Sequence, residues 1–106
     1  MAKSQNQEEY LDKIEDDRKI NLTLGKNLYK ARSKARTPSK EVVTFEWLAQ
    51  MTALHGNSIR RFEKGESGMT VANLVRLKDA LGCSWNDLLE GCESNVVKAR
   101  RPRIRK

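Results

Sequence analysis

The chain has 106 residues, with 21 Lys and Arg against 14 Asp and Glu, a net charge of +7 and a pI near 9.7. That length suits one domain of ordinary size and not two, which argues against catalysis in a cleft between domains. No apolar run approaches the roughly 18 residues of a membrane-spanning helix. No basic, apolar, small-residue signal sequence opens the chain, so no membrane partner is expected and the expected compartment is the cytoplasm.

The charge is unevenly spread. Residues 1–23 carry four basic and six acidic side chains, 24–97 carry eleven and eight, and 98–106 carry six and none. Residues 1–7 are polar and featureless and are expected to be disordered. From Glu8 to about Arg18, helix formers place Tyr10, Leu11 and Ile14 along one thin apolar stripe. The stripe suits an amphipathic helix packing on the domain or on a second copy, and equally a loosely helical acidic arm.

Clear helical periodicity starts at Leu24, where Leu24, Leu28, Ala31 and Ala35 recur on one face with Lys26, Lys30 and Lys34 elsewhere. Pro38 is expected to end this helix, since it has no N–H to give and pushes its predecessor out of the α region. Residues 36–43, RTPSKEVV, then form a connection. Thr44 has the chemistry of an N-cap for a short helix carrying Leu48 and Ala49 inward. After a corner at Ala53 and Leu54, His55 to Lys64 read as a third helix with Ile59 and Phe62 inward, stopped by Gly65. Thr70 caps a fourth helix with Val71, Leu74, Leu77, Ala80 and Leu81 inward, closed by Gly82. Ser84 and Asp87 form a capping-box pattern that opens a last helix through Leu88 and Leu89 to Gly91. No strand pattern and no internal repeat occur. The expected fold is all-α, with five short helices in a domain at 24–91, an arm at 1–23 and a basic tail at 92–106.

Residues 44–65, TFEWLAQMTALHGNSIRRFEKG, resemble the helix-turn-helix of the lambda-repressor and Cro-like (XRE) DNA-binding family. Leu48-Ala49, Leu54, Ile59, Phe62, Glu63 and Gly65 occupy the pattern without a gap. The resemblance continues through Thr70, Leu74, Leu77, Ala80, Leu81-Gly82, Ser84, Leu88 and Leu89, covering roughly 24–91. It implies a compact five-helix lambda-repressor-like domain, a major-groove reading helix around 56–64, and a homodimer that reads an inverted repeat in double-stranded DNA.

Independently of the resemblance, 100° per residue puts Asn57, Arg61 and Lys64 on one stripe and Ile59 and Phe62 on the opposite one. Asn pairs bidentately with adenine and Arg with guanine. The family's base-contacting positions map onto Gly56, Asn57 and Arg61, with Arg60 turned to one side. Phosphate contacts are implied at Thr44, His55, Ser58, Lys64 and Ser67, with a local capping role also open to His55. Arg32 matches an arginine that in relatives pairs with the glutamate corresponding to Glu63. Where relatives often carry glutamine, this chain has Phe45.

Two segments depart from the family pattern. The link from Arg32 to Thr44 is about six residues longer than usual, and Val42, Val43 and Trp47 either form an annex to the core or an exposed patch for a partner. In the tail, Lys98, Arg100, Arg101, Arg103, Arg105 and Lys106 suit nonspecific attraction to phosphates, or serve only as a solubilising terminus. Cys83, Cys92 and the single His55 are too few for a closed zinc site. Free thiols are therefore expected, without metal or cofactor, and nothing in the chain suggests an enzyme. The leading expectation is a bacterial or phage transcription regulator, most simply a repressor. The alternative is an interaction module of antitoxin type that binds a partner protein, through the N-terminal arm and the Trp47 patch, as well as DNA.

Overall fold

The structure, a computed structural model, describes residues 2–95, with side chains from Tyr10 onward. Ala2–Lys34 form one continuous helix, α1, about 50 Å long at ~1.5 Å rise per residue. The disordered start and the separate arm expected from the sequence are thus a single element with the first core helix. No proline interrupts residues 1–34, and the exposed surface is laced by ion pairs at helical spacing. Lys13 Nζ lies 2.9 Å from Asp17 Oδ2, and Arg18 Nη2 lies 2.8 Å from Glu15 Oε2. Side chains three and four residues apart are neighbours on a helix, so such pairs support it where the apolar stripe is thin.

The second half of α1 belongs to the core. Leu24 and Leu28 are buried, with Ala31 and Ala35 packed against the same cluster, and the helix meets the third and fifth helices. Gly25 permits the crossing: a Cβ there would strike the Phe62 carbonyl oxygen and lie 2.6 Å from that of Glu63. Asn27 Nδ2 donates to the carbonyls of Leu88 and Glu90, at 2.8 and 2.9 Å, and ties α1 to the end of the fifth helix.

α1 ends at Lys34, ahead of Pro38, and the link reverses in a short turn. Thr37 N–H donates to the Glu41 carbonyl at 2.9 Å, and Thr37 Oγ1 accepts from Glu41 N–H at 3.1 Å. An antiparallel bridge pairs Arg36 with Val42. The turn drives Val43 into the core and leaves Val42 59% exposed. The annex is therefore built by Val43 and Trp47, and Val42 is not part of it.

Phe45–Thr52 form α2, with Thr44 Oγ1 accepting from Trp47 N–H at 3.0 Å as its N-cap. Ala53 turns the corner in the left-handed region, at φ 61°. Gly56–Glu63 form α3, with Ile59 and Phe62 buried. At its end Gly65 N–H donates to Phe62 O and Glu66 N–H to Arg61 O, at 3.1 and 3.0 Å. That pairing is a Schellman stop, with Gly65 at φ 73°.

Val71–Leu81 form α4, capped by Thr70. Leu74, Leu77 and Leu81 are buried, but Val71 is 76% exposed rather than inward. At 100° per residue it sits almost a quarter-turn from the mean direction of those three leucines, past the edge of their stripe. Trp85–Leu89 form α5, followed by a 3-10 turn at Glu93–Asn95. Ten apolar side chains from α1, the 36–43 link and α2 to α5 make one core cluster. Among the described residues, no helix is long and apolar enough to cross a membrane, and Cys83 and Cys92 are free thiols whose pKa burial pushes up, which disfavours the thiolate.

The capping box of α5 is complete, with Ser84 Oγ accepting from Asp87 N–H and Asp87 Oδ2 accepting from Ser84 N–H, each at 3.0 Å. The Ser84 backbone N–H first, and the Ser84 hydroxyl second, hold the Asp87 carboxyl below its ordinary value. A depressed carboxylate stabilises fully above its unfolded pKa, and that contribution is lost as pH falls through the folded value. Ser84→Ala is expected to cost about 0.5–2 kcal/mol at neutral pH. Urea unfolding measures that cost, and an acid series should show the wild type losing the Asp87 contribution below the ordinary carboxylate range.

Candidate nucleic-acid interface

The buried side of α3 fixes its exposed side. Ile59 and Phe62 enter the core, so Asn57, Arg60, Arg61 and Lys64 face outward and all are exposed. α2 holds α3 in place from one side and α1 from the other. Thr52 Oγ1 braces the corner between α2 and α3, donating to Leu48 O at 2.7 Å and accepting from Leu54 N–H at 3.3 Å.

Beneath this face lies an ion pair. The Arg32 guanidinium bonds both oxygens of Glu63, with Nη2 to Oε1 at 3.0 Å, and its Nη1 donates to the Val43 carbonyl at 3.0 Å. The two side chains are 14% and 7% exposed. The expected pairing is present as a two-point contact that joins α1, the link and α3.

The outward residues have different commitments. Arg60 Nη1 donates to Asn57 Oδ1 at 3.0 Å, and its guanidinium carbon lies 5.0 Å from the centre of the Phe45 ring. Arg32 stacks on the same ring at 4.3 Å. The Arg61 side chain, by contrast, stands exposed and makes no hydrogen bond or ion pair among the described residues.

Two adjoining hollows flank α3. One, of about 590 Å³, brings together Thr44, Phe45, His55, Gly56, Asn57 and Arg60 between the starts of α2 and α3. The other, of about 620 Å³, has the Tyr29 and Phe45 rings within a rim of Lys26, Lys30, Arg60 and Lys64. Ser58 and Ser67 are half-buried and line neither. His55 occupies the N-cap position of α3, but its exposed side chain makes no capping bond. The local cap open to it from the sequence is therefore not formed. Gly56 faces Phe45, and a Cβ there would meet the Phe45 Cβ at an ordinary 3.7 Å. Lys98, Arg100, Arg101, Arg103, Arg105 and Lys106 lie outside the described residues.

Sequence reading missed the contributions of Phe45, Tyr29, Lys26 and Lys30. Lys26 and Lys30 sit four apart on α1, a spacing that places both on one face. Only the packing of α1 beside α3 brings them next to Lys64. For Phe45, a large aromatic at an expectedly polar surface position was the available signal.

The arrangement is a convex polar helix face flanked by cations and backed by a rigid ion pair. Such a surface offers donors and acceptors to base edges and positive charge to phosphates. No family model matches the chain, and no curated protein matches it either.

Proposed function

We propose that this chain is a sequence-specific DNA-binding transcriptional regulator of bacterial or phage type, most simply a repressor, that reads the major groove with α3. The observation that carries the reading is the division of α3. Its apolar side is locked into the core, while Asn57, Arg60 and Arg61 stand together on a protruding polar side. A major groove about 12 Å wide admits such a helix. The lambda-repressor-like arrangement, with α2 and α3 as the helix-turn-helix pair, fits this placement.

Within this reading the roles divide by geometry. Asn57 and Arg61 read bases, with Arg60 beside them and Gly56 at the close-approach end. Thr44 Oγ1 accepts from Trp47 N–H and keeps its own O–H for a phosphate oxygen. His55, Ser58, Lys64 and Ser67 serve the backbone, and Lys26 and Lys30 extend the positive surface along α1. The tail 98–106 adds attraction without specificity. A homodimer on an inverted repeat completes the proposal. Tyr10 and Leu11, 64% and 62% exposed on α1, favour a second reading in which the arm also docks a protein partner, as an antitoxin-like regulator would.

Arg61→Ala tests the assignment. After selection of a preferred duplex, this variant should lose roughly 1–3 kcal/mol, or about 5- to 150-fold, on that duplex and relax the preference at one base pair. Removing 98–106 should weaken binding to all duplexes about equally and flatten the salt dependence. Tail removal that abolished only specific binding would contradict this division of labour.

A further inference from the structure

The ring of Phe45 connects the rigid interior to the reading face. On one side the chain of contacts is firmly held: Glu63 bonds Arg32 at two points, Val43 O accepts a third bond from it, and Arg32 stacks on Phe45. On the other side Phe45 contacts Arg60, and Arg60 donates to Asn57. We propose that Phe45 is a positioning residue for specificity, holding Arg60 so that Arg60 and Asn57 read an adjacent adenine and guanine as one hydrogen-bonded unit. This rests on the DNA-binding reading above.

The chemistry of the pair supports a joint reading. Adenine recognition needs Asn57 Oδ1 to accept from N6 while Nδ2 donates to N7. An amide oxygen has two lone pairs, so Oδ1 accepts from Arg60 and still accepts from adenine. Arg60 has five donors and spends one on Asn57, which leaves a fork for guanine O6 and N7. The two residues are three apart on α3, about 4.5 Å along its axis at ~1.5 Å per residue. That separation is close to the ~3.4 Å base-pair step, so neighbouring base pairs fall within their reach.

An arginine free in solvent must be ordered when it binds, and ordering a long side chain weakens association. Stacking on an aromatic face orders it beforehand. Arg60 is therefore set before DNA arrives, and Phe45 is set by Arg32. Phe45 acts through Arg60 and touches no base in this account.

The test is a double-mutant cycle read by binding to the preferred duplex, to single-base variants of it, and to random duplex at ~0.15 M salt. Phe45→Leu keeps an apolar side chain and removes the ring. It should weaken binding to the preferred duplex about three- to tenfold, lower discrimination at the two adjacent base pairs, and leave random-duplex binding within about twofold. Phe45→Tyr, which keeps the ring, should restore discrimination. In an Arg60→Ala background, Phe45→Leu should cause no further loss. Because Arg60 is exposed, its replacement leaves the fold intact, and the cycle stays readable even where Phe45→Leu lowers stability. Equal losses from Phe45→Leu with and without Arg60, or equal losses on preferred and random duplexes, overturn the inference. If the wild type discriminates and Phe45→Leu matches it, this inference alone falls. A wild type that prefers no duplex overturns it together with the proposed function.

Discussion

Arg32→Ala is expected to destabilise the fold by about 3–5 kcal/mol, because it leaves a buried carboxylate without its counter-charge. Glu63 is 7% exposed and takes two of its hydrogen bonds from Arg32, which also satisfies the Val43 carbonyl. For a domain of this size each kcal/mol moves the midpoint by roughly 4–8 °C, so the loss should exceed about 12 °C. Against a total stability of about 5–15 kcal/mol, that is a large share. The double replacement Arg32→Met with Glu63→Leu should recover most of the loss, since an apolar pair of similar volume removes the desolvation problem altogether. Thermal and urea unfolding of the wild type and these two variants measures this. A single-variant loss below ~1 kcal/mol would mean that the pair does not act as a buried contact.

Gly25→Ala tests the crossing of α1 and α3, and here the sign is informative. In an ordinary helix interior, replacing glycine by alanine gains about 1 kcal/mol. At Gly25 the new methyl would collide with two backbone carbonyl oxygens, those of Phe62 and Glu63. Backbone cannot swing aside as a long side chain does, so the helices must separate. Overpacking of this kind costs about 1–3 kcal/mol and occasionally more. A net loss of up to about 2 kcal/mol is expected once the helix-propensity gain is set against the overpacking cost, together with displacement of α3, whose end rests on this contact. Urea unfolding reads the stability. A stabilised Gly25→Ala would contradict the close approach.

The α2 to α5 part of the fold was legible because its signals are local and short-range. Thr44, Thr70 and Ser84 cap as expected, and Gly65 and Gly82 end their helices at positive φ. The apolar spacing at Leu48, Ile59, Phe62, Leu74, Leu77 and Leu88 matches the buried set. What was not legible depends on partners distant in sequence. Periodicity put Val71 inward, but it stands exposed at the first turn of α4, where its angular offset from the stripe leaves it outside the core. The thin stripe of residues 8–18 gave no reason to join them to the helix at Leu24, although the ion pairs of Lys13, Glu15, Asp17 and Arg18 were available as a sign of continuity. His55 has the chemistry of a cap, yet its exposed side chain makes no capping bond.

The candidate site divides in the same way. The stripe of Asn57, Arg61 and Lys64 follows from helical angles alone. That Arg60 is tied to Asn57 and set against Phe45 follows from the positions of α1 and α2, which no local pattern specifies. Phe45 illustrates this most clearly. In sequence it is a departure from an expected glutamine, whereas in the structure it is the shared platform of Arg32 and Arg60.

The most direct measurement is the affinity of the wild-type chain for its selected duplex relative to random duplex of equal length, at ~0.15 M salt. A reading helix with three base-contacting side chains predicts a preference of roughly 10³-fold or more, as specific DNA-binding proteins show, that collapses toward unity as Asn57, Arg60 and Arg61 are removed together. Equal affinity for selected and random duplex would contradict the account.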